Sequence, residues 1–275
     1  MNCNKIAVIY AYYEKTNDYI LNLKYFLKRG IYDECDYYFI VNGCCSIDFP
    51  KKNNIKVENR ENNGYDFASF NYILFQKDLI FKNYDYYVFM NSSQRGPFIP
   101  NYIKIKWYEP FINMIKDDVK LVGVTINIFS KYLFSQGKLL EEKTNYKLPF
   151  PHVQSYFFVT DKECLKFLIE KEIFQEKYDY DNFDELIAFK EILMSKVVLE
   201  NNWNISSIIP EYRELDYRTI KEDINKTSMN NDPLYKKCCF GRTIHPYEAI
   251  FIKTNREISV DEINSLTKYY YNSIV

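Results

Sequence analysis

In YDYYVFMNSSQRGPFIP, residues 84–100, a short apolar run empties into a polar loop. Tyr86, Tyr87, Val88, Phe89 and Met90 form an apolar, aromatic and β-branched run, of a length that suits a strand buried in a parallel sheet. Asn91, Ser92, Ser93, Gln94, Arg95 and Gly96 follow, small and polar with one cation, and Gly96-Pro97 and Pro100 end regular structure. A cluster of turn formers is most often a surface turn. Behind a buried strand it has a second meaning, because open α/β sheets bind ligands beyond the carboxyl ends of their strands.

Toward the N-terminus, Lys5 to Ala11 reads as a first strand, then a turn from Tyr12 to Asn17, then a helix carrying Tyr19, Ile20, Leu23, Phe26 and Leu27 at helical spacing. Thr16, Asn17 or Asp18 suits its N-cap and Gly30 its end. Asp36 to Val41 reads as a second strand, Ile55 to Asn59 as a third, and ENNGYDFASF leads into a helix through Leu79. Toward the C-terminus the pattern predicts a helix over Trp107 to Ile115 and strands over Val119 to Thr125 and Val153 to Val159. A helix capped at Thr160-Asp161, a long helix over Asp184 to Asn201 and a strand over Trp203 to Ile209 follow. Residues 129–150 lack periodicity and hold Gly137 and Pro149, which predicts a long loop of the kind that serves as a lid or stays disordered. Residues 215–240 are polar and weakly patterned, RTIHPYEAIFIKTNR closes the body of the fold, and a short helix follows Val260. Strands alternating with helices predict an α/β protein with a mostly parallel central sheet flanked by helices. With no repeat or linker, one domain over residues 1–275 is expected.

Composition narrows the partners. Lys+Arg 36 against Asp+Glu 37 gives a net charge of -1, so no global field attracts nucleic acid or an anionic membrane. The seven cysteines are an odd number, include the adjacent pairs Cys44-Cys45 and Cys238-Cys239, and form no C-x-x-C. With only His152 and His245 beside them, a structural zinc site is not expected. Reduced thiols and the lack of a signal-peptide-like start predict a cytoplasmic protein. The sequence shows no stretch long enough to cross a membrane, and peripheral attachment stays open. The 27 Tyr and 21 Phe fit a core filled by rings that keep a hydroxyl for a partner.

The chemistry sits in the turns. AYYEK, NGCC, ENNGYD and NSSQRG each follow an expected strand, and right-handed crossovers bring several of them to one sheet edge. There, Tyr12, Asn42, Gly64, Asp66, Asn91, Ser92, Ser93 and Arg95 are candidates for a polar ligand. Gly64 lets backbone approach closely, Asp66 can accept from a ribose or sugar hydroxyl, and the amides and hydroxyls both donate and accept. Arg95 has the fork that pairs with phosphate. No G-x-G-x-x-G, G-x-x-x-x-G-K-[ST] or G-x-S-x-G occurs, which argues against dinucleotide-binding, P-loop and α/β-hydrolase chemistry.

Together these pieces resemble nucleotide-sugar-dependent glycosyltransferases of the GT-A type, and more narrowly the rhamnan-synthesis and NSS-x-RGPF-type glycosyltransferase-like proteins. The matching stretches are ENNGYDFASF, YDYYVFMNSSQRGPFIP, VKLVGVTIN (119–127), HVQSYFFVTD (152–161), VVLENNWNIS (197–206) and IHPYEAIFIKTNR (244–256). They span nearly the whole chain, and NSSQRGPF and HVQSYFF are the specific ones. The resemblance implies a nucleotide-sugar-binding half over residues 1–100 and an acceptor-binding half over 101–275, with a glycan or other hydroxyl compound as acceptor. Where GT-A enzymes carry D-x-D for a divalent cation, this chain reads Asn91-Ser92-Ser93, poor ligands for Mg²⁺ or Mn²⁺. Two alternatives follow: a cation held with help from elsewhere, or Arg95, Lys253 or helix-end amides offsetting the diphosphate.

By the same resemblance Glu191, in FKEILMSKVVLENNWNI, is the candidate general base of an inverting transfer. Asp184 and Glu185 are its reserves, although acids in a first helical turn also favour the dipole. His152 and Gln154 are assigned to acceptor or donor-sugar contact, His245 and Lys253 to the diphosphate. A structural histidine, a turn residue beside Pro246 and a solvated lysine are the plain alternatives. A non-catalytic sugar- or nucleotide-sugar-binding protein on the same fold is the competing function.

Overall fold

The computed structural model describes residues 4–79, 82–131, 135–175 and 183–272. In chain order the elements are β1 (Ile6–Tyr12), α1 (Asn17–Arg29), β2 (Cys35–Asn42), β3 (Ile55–Arg60) and α2 (Tyr65–Asn71), which runs on as a π-helical turn, Tyr72–Gln76. Then come β4 (Tyr86–Asn91), β5 (Gln94–Arg95), α3 (Glu109–Ile112), β6 (Val119–Gly123), β7 (Ile126–Phe129), α4 (Ser135–Lys143), β8 (Phe150–Val153) and β9 (Phe157–Asp161). The last third holds α5 (Lys162–Glu170), α6 (Phe183–Leu186), a π-helical stretch Ile187–Ile192, α7 (Leu193–Glu200), β10 (Asn204–Ser207), α8 (Pro210–Arg213), α9 (Pro246–Ala249), β11 (Ile252–Lys253) and α10 (Val260–Asn272).

The central sheet has seven strands in the order β10-β6-β9-β4-β1-β2-β3. All pairs are parallel except those that β9 makes with β4 and β6, so β9 alone runs against the rest. β1, at the centre of its half, is buried along its whole length, as a parallel strand covered on both faces must be. Phe89 on β4 stacks on Phe158 of β9 with centroids 4.7 Å apart and on Phe174 at 5.3 Å. Trp107 is buried among Phe26, Phe157 and Phe251, and its indole N–H donates to the Gly30 carbonyl at 2.8 Å. The tyrosines behave as their chemistry demands: Tyr37, Tyr84 and Tyr217 bury their rings and spend their hydroxyls on Gly30, Asp36 and the Tyr212 carbonyl.

Three expected elements change. Val153 to Val159 is not one strand: the chain turns at Gln154-Ser155-Tyr156, β8 pairs with β7, and β9 enters the main sheet. Within 129–150 the expected loop contains α4, whose Leu140 is buried with Phe129, Phe150, Phe189 and Ile192 in a small second core. Packing makes this helix; its own periodicity is weak. Residues 132–134 of that stretch lie outside the described residues. The helix expected over Trp107 to Ile115 narrows to Glu109–Ile112. The described cysteines, Cys35, Cys44, Cys45, Cys164, Cys238 and Cys239, are free thiols. Among the described residues no helix is long and apolar enough to cross a membrane.

The C-terminal segment returns to the opening motif. β11 pairs antiparallel with β5, Ile252 opposite Arg95 and Lys253 opposite Gln94. Gly96 permits that closure, since a Cβ there would stand 2.4 Å from the Ile250 carbonyl oxygen.

Candidate functional site

Beyond the carboxyl ends of β1, β2 and β4 lies a cavity of about 740 Å³, within the usual range for small-molecule sites. One wall comes from the turns after the early strands. Ala11, Tyr13, Asn42, Gly64, Asp66, Asn91, Ser92 and Ser93 line it. Gly64 caps α2 at φ 70°, the left-handed region that favours glycine, and sets Asp66 in the first turn of that helix. Asn91 links the two turns: its Nδ2 donates to Asp66 Oδ2 at 3.0 Å, and its Oδ1 accepts from the Ser93 N–H at 3.0 Å and the Ser93 hydroxyl at 2.7 Å. Ser92 Oγ accepts from the Tyr13 N–H at 3.2 Å. Asn42 is fixed by Tyr12 O, Arg60 and Ser69. Burial, with a smaller push from Glu191, raises the Asp66 carboxyl above the usual aspartate value.

The opposite wall comes from β7, β8 and the turn after it, from the π-helical stretch and from β11. β7 and β8 pair antiparallel with Asn127 opposite His152. Glu191 and Ile187, one helical turn apart, face the cavity, while on the other side Lys190 is buried and donates to the Gln175 carbonyl at 2.5 Å. π-helical turns recur at functional sites, where they re-aim a side chain. Here one carries the acid. Glu191 Oε2 accepts from the Ser155 N–H at 2.5 Å, and Oε1 stands 3.8 Å from His152 Nε2. His152 is 1 % exposed, its Nδ1 2.9 Å from the Phe150 carbonyl and its ring edge-on to Phe129. Burial lowers its pKa below 6.5, against the attraction of Glu191. Gln154 Nε2 donates to Asn127 Oδ1 at 2.7 Å and Asp232 Oδ1 at 3.0 Å.

Lys253 also lines the cavity, its ammonium 4.9 Å from the centre of the Tyr156 ring. Burial lowers its pKa, and Asp232, Glu191 and Asp66 oppose that shift. It is a partly desolvated cation among carboxylates, not the solvated lysine that a two-residue strand near the C-terminus would lead one to expect.

The structure brings together Asn42, Gly64, Asp66, Asn91, Ser92, Ser93, His152, Gln154, Glu191 and Lys253. Three candidates stand elsewhere. Arg95 is 1 % exposed and does not line the cavity; it donates to Asn22 Oδ1 at 2.8 Å, Asp18 Oδ1 at 3.0 Å and Thr267 Oγ1 at 3.3 Å. That corrects the phosphate role expected of it: the fork locks β5 to α1 and α10. Tyr12 is buried with its hydroxyl on Glu14, and its neighbours Ala11 and Tyr13 face the cavity instead, as alternation along a strand requires. His245 caps α9, its Nδ1 accepting from the Tyr247 N–H at 3.2 Å, outside the cavity. The reserve acids Asp184 and Glu185 do not line it either, and Asp184 is held by Ser135 and Gln136.

Asp232, Asn127, Tyr156 and Arg256 line the cavity without having been expected there. Asp232 sits in a turn where Asn230 and Asn231 have φ of 53° and 60°, and the run Asn-Asn-Asp is the one local signal of it.

Asp66, Glu191 and Asp232 are acids that line the cavity. Asp66 adjoins Asn91 with both oxygens engaged, by the Phe67 N–H and by Asn91. Among the described residues no three His, Cys, Asp or Glu side chains converge as metal ligands would.

No protein-family model matches the chain, and no curated protein matches it in sequence. Among solved structures it is similar to the mannosyltransferase PcManGT from Pyrobaculum calidifontis in complex with GDP-Man and Mn2+, at 10 % sequence identity and a TM-score of 0.40. The similarity covers 74 % of this chain and 54 % of the other, so the chain spans about half the length of that protein.

Proposed function

We propose that the chain is a glycosyltransferase that moves a sugar from a nucleotide-sugar donor to a hydroxyl acceptor. The observation that carries this is the occurrence of Lys253, Glu191 and the Asn91-Ser92-Ser93 turn in one cavity beyond the carboxyl ends of parallel strands. The motif resemblance of NSSQRGPF and HVQSYFF to GT-A-type sequences points the same way. In this reading the acceptor oxygen bonds to the anomeric carbon as the bond from that carbon to the diphosphate oxygen breaks. The proton of the acceptor hydroxyl goes to Glu191, which the Ser155 N–H orients. Lys253 offsets charge on the leaving diphosphate, the task for which Arg95 is wrongly placed. Inversion at the anomeric carbon follows from one base on the face opposite the leaving group. Neutral donors and acceptors at Asn42, Asn91 and Ser93 suit ribose and sugar hydroxyls.

Thermal-shift measurement with UDP, GDP, dTDP and their common sugars, each with and without Mn²⁺, tests this. A donor well above its dissociation constant raises stability by roughly 2–4 kcal/mol. The expected result is a shift with one nucleotide family that persists without the metal, followed by transfer or slow hydrolysis of the bound donor. No shift with any nucleotide overturns it.

A non-catalytic binding protein is the second reading, favoured by the way Asn91, Ser93 and Asp66 spend their polar atoms on one another. Binding of a donor that is neither transferred nor hydrolysed decides for it.

A further inference from the structure

The wall that holds Glu191 has a chemical sign. A carbonyl oxygen only accepts, so the 2.9 Å contact of His152 Nδ1 with Phe150 O requires the proton on Nδ1. Nε2 is then a lone pair, and among the described residues no hydrogen-bond partner reaches it. Gln154 has its orientation fixed in the same way: only its NH₂ can donate to the Asp232 carboxylate, so Oε1 is the other end, and it too lacks a partner among the described residues. Glu191 Oε1 lies 3.8 Å from His152 Nε2, too far for a direct bond and close enough for one oxygen to contact both. His152 and Gln154 are 1 % and 2 % exposed. Buried acceptors of this kind are costly unless a donor satisfies them.

We infer that the free acceptors of His152 and Gln154, with Glu191, form an acceptor-rich corner that takes hydroxyls of a neutral sugar in preference to a sugar carrying a carboxylate or phosphate there, the Asn127 amide beside it keeping a donor. The inference rests on the transferase reading and names its substrate class. A hydroxyl donates to Nε2 or to Oε1 and completes the pair; an anionic group meets two lone pairs and the Glu191 carboxylate, while Asp232 behind Gln154 is offset by Arg256 at 3.7 Å. Of the cations that line the cavity, Lys15, Lys253 and Arg256, the last two lie against the aromatic rings of Tyr156 and Tyr235. His152 acts here as a specificity residue beside the base.

The chain's two histidines make the test direct. Long-range ¹H–¹⁵N spectra of the labelled protein report which ring nitrogen is protonated, and His245→Ala assigns the pair. At neutral pH, His152 is expected with a protonated Nδ1 and a bare Nε2. Methyl α-glucoside, α-mannoside or α-rhamnoside is expected to move the Nε2 resonance saturably, and methyl glucuronide at matched concentration and ionic strength to leave it in place. A proton on Nε2, an equal response to the uronide, or no response to any glycoside overturns the inference. Failure of the transferase reading appears separately, as the absence of any nucleotide shift.

Discussion

The backbone N–H of Ser155 donates to Glu191 Oε2, which fixes the acid from a turn that interrupts what reads in sequence as one strand. Glu191→Gln keeps an oxygen for that bond and most of the shape, but removes the basic site. Transfer is expected to fall by roughly 10²–10⁴-fold while donor affinity changes little, because general-base assistance acts on the transition state. Comparing kcat with the donor Kd from calorimetry checks this. An equal loss in both would make Glu191 a binding residue.

Arg95→Met should harm the fold more than the site. Its three partners on α1 and α10 lose their donors, and Asn22, which also donates to the Ser92 carbonyl, is buried. Asp18 is largely exposed, so its ion pair contributes little; the orphaned buried groups dominate, at about 2–4 kcal/mol. Urea denaturation should show that loss, with nucleotide affinity of the folded fraction changing by less than about threefold.

This contrast marks what the sequence made legible. Asp66 and the Asn91 turn could be placed because each lies in a polar turn behind an expected strand, whereas Glu191 was named from the motif resemblance. The sheet was equally plain, since β1, β2 and β4 are short apolar runs ended by polar turns. Arg95 was misread because a two-residue strand sets its direction, and that strand exists only through pairing with Ile252-Lys253. Lys253 reaches the cavity by the same pairing. α4 and Asp232 were hidden for a related reason: their positions depend on contacts with Phe189, Ile192 and Gln154 far along the chain, and leave no local period.

Lys253→Met offers a sharper discrimination. The ammonium is held among Tyr156 and three carboxylates at a cost in desolvation. Removing it should leave thermal stability unchanged or higher. Affinity for a nucleoside diphosphate should fall by about tenfold or more, as expected for a lost charged hydrogen bond, and affinity for the bare nucleoside should not move. Equal loss for nucleoside and diphosphate would place the phosphates away from β11.

His152 makes stability depend on pH in a direction that can be worked out. Burial lowers its pKa in the folded state below the ordinary 6.5, so the unfolded chain binds the proton more readily. The stabilising contribution of the neutral ring is complete above 6.5 and is lost as pH falls through the depressed folded value. Asp66, whose folded pKa is raised from 3.8, acts in the opposite sense: its contribution is present below 3.8 and lost as pH rises through the folded value. The denaturation midpoint of the wild type should therefore decline on acidification below about pH 6.5, and His152→Gln, which retains a donor for the Phe150 carbonyl, should flatten that decline. If the variant kept the full slope, His152 would not be the group whose titration sets it.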